Sequence, residues 1–181
     1  MMQSYLEFAD VDVRTRSRDE ARPRLDELID AVDVSDDGVV YEDPNVRIST
    51  CHVNHPPMEA LAYRVDAPDR SYVFSGDTTP SVDLIDLARN ADVLVHEVMH
   101  LPSIDSLVEA PGAPDGLRSH LVNSHTSTAE VGGIAREADV KMLVLSHLVP
   151  TDGGPSPEVW TREPKQDFGG EVVLGEDLME I

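Results

Sequence analysis

Apolar positions follow two regimes along the chain. Between residues 39 and 65 they form short β-branched or alternating runs divided by turn residues. Val39-Val40-Tyr41 pairs with residues 46–53 across the turn Asp43-Pro44-Asn45, and residues 58–65 make the next strand. From residue 71 onward, fully apolar runs of three or four alternate with helical spacing, the signature of buried strands joined by helices. Tyr72-Val73-Phe74 stops at the tight turn Ser75-Gly76, with Asp77 next. Thr79 as cap and Pro80 at the first position open a helix that buries Val82, Leu84, Ile85 and Ala88. The run Val93-Leu94-Val95 ends in His96-Glu97. Residues 101–119, rich in Pro and Gly, read as a short helix and a loop. Ser127-Thr128-Ala129-Glu130 is a capping box, and its helix buries Val131, Ile134, Ala135 and Ala138. Residues 142–145 form a strand ending at Ser146-His147, residues 151–170 a long loop, and residues 172–174 a last strand.

Residues 1–35 are the least patterned. Leu6, Phe8, Val11 and Val13 partly alternate, and Leu25, Leu28, Ile29 and Val32 suit a short amphipathic helix. Without an internal repeat or a dividing linker, the 181 residues read as a single α/β domain. Its mixed sheet carries helices on the outer side.

Composition narrows the setting. No stretch approaches the roughly 20 apolar residues of a membrane span, and the first residues have neither a basic nor an apolar signal-peptide region. Cys51 is the sole cysteine, which excludes a disulfide framework and a thiolate cluster and makes a cytoplasmic protein the default. Thirty-five acids face fourteen bases, for a net charge of −21, and Lys141 and Lys165 are the only lysines. The acids are spread along the chain rather than blocked as in an acidic tail. Such a surface repels polyanions and argues against nucleic acid as a partner. A basic partner is one explanation; adaptation to high salt, where the Debye length shrinks to about 3 Å at 1 M, is the preferred one.

Polar groups recur where strands end: His55, Asp77, His96-Glu97 and His147, with His125 just before the capping box. Ligands gather at the carboxyl edge of an open α/β sheet. Imidazole nitrogen and carboxylate oxygen both bind zinc at about 2.0–2.2 Å. A carboxylate can bridge two metal ions about 3.5–4 Å apart, a pair that polarises an ester oxygen and lowers the pKa of water. Asp77, beside Gly76, is the natural bridge. Each residue also has an ordinary reading: a loop histidine bonded to backbone, an aspartate capping a turn, a glutamate paired with arginine. His52, His100 and His120 read as surface or loop histidines, and Cys51 as a small core residue.

Taken in order, VNHPPMEALAYRV, YVFSGDT, VLVHEVM, NSHTSTAEVG and MLVLSHLVP resemble the second half of the metallo-β-lactamase-fold hydrolases. The branch is the one holding RNase Z and the arylsulfatase-like zinc enzymes. The resemblance covers residues 39–181. It implies half of an αββα sandwich and a site for two zinc ions, with His55, Asp77 and His147 as metal ligands. It also implies Glu97 orienting His125, the catalytic proton donor or transition-state stabiliser. The family's H-x-H-x-D-H motif is missing, since the first histidine is His52. Each ion keeps two ligands where catalytic zinc normally has three. Weak metal binding and little hydrolysis are therefore expected of these residues alone. The first residues enter mid-pattern, as in a truncated or split reading frame. A separate N-terminal half would then complete the site, the exposed face of a half-fold could instead pair in a homodimer, and the same sequence also allows a non-catalytic half-domain.

Twenty-one residues separate His55 from Asp77, too few for the basic arm common in RNase Z, and SHLVP lacks the Arg or Tyr found after the last ligand there. The resemblance thus favours hydrolysis of a small ester or sulfate ester, arylsulfatase-like. An RNase Z-like phosphodiesterase acting on precursor tRNA is the alternative. A half-sandwich should also expose apolar residues within 39–53 and 72–74.

Overall fold

Seven strands lie side by side in chain order in one mixed sheet. The computed structural model describes residues 14–21, 23, 31–151 and 154–181. The chain divides into Met1–Ser35 and Asp36–Ile181. Residues 14–19 of the first unit are helical, and the expected strand at 6–13 and most of the helix at 25–32 lie outside the described residues. In the second unit, β1 (Gly38–Glu42), β2 (Arg47–His55), β3 (Met58–Asp66) and β4 (Ser71–Phe74) pair antiparallel. Then β5 (Val93–Met99), β6 (Met142–Val149) and β7 (Glu171–Leu174) continue parallel to β4. Two reversals bring β2 back to the direction of β4. The carboxyl ends of β2, β4, β5, β6 and β7 therefore share one edge, where open sheets bind ligands.

Local chemistry explains the elements. Asp43 closes the first hairpin, its Oδ1 accepting the N–H groups of Asn45 and Val46 at 2.8 Å each. In β2 and β3, Cys51 and Val53 lie opposite Ala62 and Ala60. These join Val73, Leu94, Leu143, Leu145 and Val172 in a core closed by Leu84, Val131, Ile134 and Trp160 from the helices. Those helices are α1 (Val82–Leu87), α2 (Leu101–Val108), α3 (Leu117–Val122), α4 (Thr128–Glu137), α5 (Pro157–Arg162) and α6 (Pro164–Asp167). The Ser127 capping box starts α4 as expected, with Ser127 N–H donating to Glu130 at 3.0 Å. Cys51 is a buried core residue, and burial, with the nearby acids Asp37 and Asp83, pushes its thiol up to about 12.

The opposite sheet face carries Tyr41, Ile48, Tyr63, Tyr72, Phe74 and Val95, aligned row by row through the register. Tyr41, Tyr63 and Phe74 are 51%, 36% and 45% exposed, large values for aromatic rings on a sheet. This is the uncovered apolar surface expected of a half-sandwich.

Several expectations need correction. Helix α1 is capped by Ser81, whose Oγ accepts from Leu84 N–H at 3.3 Å, not by Thr79, and Val82 points to solvent. Thr79 N–H is instead tied to Asn54 O at 2.9 Å, which draws the residues after β4 onto β2 and delays the helix. Strand β5 does not stop at His96-Glu97, nor β6 at His147; each runs on to pair with the other. The loops expected after residues 108 and 151 contain α3, and α5 with α6. Prolines there occupy first helical turns at Pro157 and Pro164, where no N–H is needed, so they start helices rather than exclude them.

At the amino edge of the sheet, Asp92 clamps three strands. Its carboxylate accepts from Lys141 Nζ at 2.6 Å and from the Ser71 N–H and Oγ at 2.7 and 3.0 Å. The lysine hydrogen bond, then the serine ones, hold the carboxyl well below the usual range. A depressed folded pKa means the stabilisation is complete above the unfolded value of about 3.9 and is lost as pH falls through the folded one. Thermal melts of Asp92→Asn should therefore show a lower midpoint than the parent near neutrality, the gap closing below about pH 4. Equal midpoints at neutral pH would mean the clamp contributes nothing.

Candidate metal centre

The carboxyl edge begins with a close approach of backbones. Gly76 has φ +61°, and a Cβ there would meet Leu61 O at 3.0 Å. Glycine lets the turn after β4 lie against β3 and presents Asp77 at the edge. From the neighbouring strands, His55 ends β2 and His147 comes from β6. His147 is the extra residue of a bulge: Glu97 faces Ser146, but Val98 already faces Leu148. Its φ of +41° is rare outside glycine. A bulge re-aims a side chain that strict alternation would send elsewhere.

Asp77 Oδ2 lies 3.3 Å from His147 Nε2 and 3.9 Å from His55 Nε2. The His125 ring stacks on His147 with centroids 5.7 Å apart and meets His55 edge-on at 5.5 Å. Donor atoms of Asp77, His125 and His147 all lie within 4.8 Å of one another. Two donors on one tetrahedral zinc stand roughly 3.4 Å apart, so this nitrogen and oxygen set suits such an ion and leaves a position open. Asp77 and His147 are 38% and 52% exposed at their side chains, so little of this chain shields the set.

Behind the trio, Glu97 is 1% exposed, and among the described residues its ion-pair partner is His125. Its Oε2 receives His125 Nδ1 at 3.3 Å, and its Oε1 receives Thr126 N–H at 2.7 Å and Thr78 N–H at 3.3 Å. Its own N–H donates to Ser75 Oγ at 3.0 Å. Thr126 Oγ bonds Thr78 O at 2.7 Å, and Asn54 N–H bonds Thr78 Oγ at 3.0 Å. Burial works against a charged His125, but the Glu97 hydrogen bond and charge, helped by Asp77, outweigh it and lift its pKa above the ordinary value. With Nδ1 committed to Glu97, Nε2 is the nitrogen left for a metal or a proton.

All five residues singled out in the sequence, His55, Asp77, Glu97, His125 and His147, thus meet at one edge. His52 pairs with Asp37 at 2.7 Å, His100 contacts Ser103 at 2.7 Å and Trp160, and His120 lies exposed on α3. None of these three belongs to the clustered donors. Sequence reasoning missed Ser75, Thr78 and Thr126, the groups that hold Glu97. Their signal was the run of small hydroxyl residues around Asp77 and His125.

Two hollows flank the cluster. One, of about 680 Å³, is lined by His55, Pro56, Pro57, Met58, Glu59 and Asn123 among others. The second, of about 380 Å³, lies between His147, Val144 and the last residues Glu176, Asp177, Met179 and Ile181. Among the described residues, neither is lined by a basic side chain apart from histidine.

Truncating Glu97 to alanine would strand the buried N–H groups of Thr78 and Thr126 at about 1–3 kcal/mol each, so urea unfolding should show a loss of roughly 3 kcal/mol or more. Asp77→Asn, at a half-exposed position, should change stability by less than about 0.5 kcal/mol. Zinc titration of the same variant should show affinity at least about tenfold weaker.

No family model matches the chain. A ribonuclease Z of Mycobacterium avium is 31% identical over 154 residues, covering 83% of this chain and 53% of that protein. A ribonuclease Z of Mycobacterium tuberculosis strain H37Rv is 28% identical over 145 residues, covering 80% and 51%. The chain spans about half the length of the curated relatives it matches. Among solved structures, the metallo-β-lactamase fold protein YhfI from Bacillus subtilis superposes with a TM-score of 0.57 at 23% identity, over 75% of this chain and 49% of that one. Human tRNase Z, short form, superposes with a TM-score of 0.51 at 20% identity, over 78% and 43%. The chain builds one half of the metallo-β-lactamase fold and is similar in sequence to ribonuclease Z proteins.

Proposed function

We propose that this chain supplies the His55, Asp77, His125 and His147 side of a zinc hydrolase that cleaves phosphodiesters, as ribonuclease Z-like enzymes do. The observation that carries the reading is the convergence of Asp77, His147 and His55 beside His125, a histidine oriented by Glu97, in a chain similar to ribonucleases Z. Those relatives favour the phosphodiesterase alternative over the arylsulfatase-like reading. Asp77 and His147 would hold an ion, with His55 completing the rim. The bound ion would supply Lewis acidity toward the scissile ester and an acidified water. Asp77 would fix the position of the reacting centre. His125, held by Glu97 through Nδ1, would deliver a proton from Nε2 to the leaving oxygen. Its raised pKa favours the protonated ring.

This half-site is too sparse to work alone. The exposed aromatic face and the missing H-x-H-x-D-H motif support a second polypeptide layer that brings the remaining ligands and covers Tyr63 and Phe74. A second reading, a small neutral ester as substrate, draws on the acidic lining of both hollows by Glu59, Glu176 and Asp177. Phosphate binding normally relies on Lys and Arg, and neither lines these hollows among the described residues.

The test compares the 181-residue chain with the same chain joined to an H-x-H-x-D-H-bearing half. Each is assayed on bis(p-nitrophenyl) phosphate, an aryl sulfate, a neutral aryl ester and precursor tRNA. The joined enzyme should turn over the phosphodiesters, and the chain alone should show little hydrolysis. Turnover restricted to the sulfate or the neutral ester would overturn the phosphodiesterase reading. Stoichiometric zinc and full turnover by the chain alone would overturn the half-site reading.

A further inference from the structure

One buried histidine has no part in the chemistry described so far. His96 is 0% exposed, and its Nε2 finds no hydrogen-bond partner among the described residues. Its Nδ1 lies 2.6 Å from the carbonyl oxygen of Glu97. A carbonyl only accepts, so Nδ1 must carry the hydrogen, and Nε2 must be a bare lone pair sealed from water. Leaving a buried acceptor unpaired works against folding. A leucine or phenylalanine would fill the same space without that cost. What the imidazole adds is one N–H, aimed at the peptide that follows Glu97.

That peptide sits where precision matters. It is the step at which the β5–β6 ladder shifts register, with Glu97 opposite Ser146 and Val98 opposite Leu148, so that His147 bulges out with φ +41°. The Glu97 side chain, one residue from the bond, holds His125 and the Thr78 and Thr126 amides. A rotation of the Glu97 peptide would therefore move both the carboxylate that aims His125 and the strand edge against which His147 bulges. A bulge is conformationally soft unless something pins it.

We propose that His96 is a positioning residue: its Nδ1–H pins the Glu97 carbonyl at the β5–β6 bulge, and so aligns the Glu97–His125 pair with His147. The zinc arm of the test rests on the metal-centre reading given above; the metal-free arm does not. His96→Asn places an amide N–H close to where Nδ1 stood. His96→Leu removes the donor, and His96→Gln moves it to the Nε2 end.

Each variant of the 181-residue chain is titrated with zinc alone, unfolded in urea without metal, and observed metal-free by nitrogen-edited NMR of the histidine rings. H96L and H96Q should weaken zinc binding by about tenfold or more, the size of effect outer hydrogen bonds have on metal sites, while H96N stays within about threefold. The urea midpoint of H96L should stay close to that of the parent, because relief of the unpaired Nε2 offsets loss of the bond to the Glu97 carbonyl. Its metal-free spectrum should lose the His125 Nδ1–H resonance and shift His147, whereas H96N keeps both. If H96L does not fold, H96Q against H96N carries the same comparison. Unmoved His125 and His147 signals in H96L or H96Q would overturn the proposal, as would H96N behaving like H96L. If the parent chain binds no zinc yet the ring signals respond as expected, the metal reading fails and the positioning role stands.

Discussion

A carboxylate sealed in protein must be fully satisfied, and Glu97 is where this structure meets that requirement. Both of its oxygens are occupied, one by His125 and the other by the amides of Thr78 and Thr126. Its amide is held by Ser75 and its carbonyl by His96. Those partners come from the turn after β4, from β5 itself and from the segment entering α4. One residue thus sets the separation of three chain segments. In low dielectric such a network is strong when complete and costly when broken, so the edge that carries the donors is also a structural node.

The site is built by departures from regular strands. Gly76 admits a turn that a side chain would push off Leu61. The bulge at His147 turns an imidazole toward Asp77 that a regular ladder would have placed by alternation. The regular parts supply only the common edge, since the reversal through β3 returns β2 to the direction of β4. Scaffold and site thus divide the labour: pairing fixes where the strands end, and irregularity fixes where the ligands point.

The same sheet has two unlike faces. One packs Val73, Leu94 and Leu143 beneath the helices; the other leaves Tyr41, Tyr63 and Phe74 in water. The chain as a whole is strongly acidic, at a net −21. High net charge keeps such a surface from sticking indiscriminately.

By itself the sequence determined the fold class and marked the residues that the fold gathers at one edge. Alternation between residues 39 and 65, buried runs after residue 71 and the capping box at Ser127 are local signals, and each was legible because hydrophobic periodicity and capping act over a few residues. His55, Asp77, Glu97, His125 and His147 could be picked out as chemical types beside strand ends. Tertiary structure decided the rest. The cap moved from Thr79 to Ser81 because Asn54, far away in sequence, captured the Thr79 amide. Strands β5 and β6 outran their apolar runs because each paired with the other past His96 and His147. Which hydroxyls hold Glu97, and that a bulge aims His147, depend on contacts between segments tens of residues apart. Local pattern does not encode such contacts, and packing does.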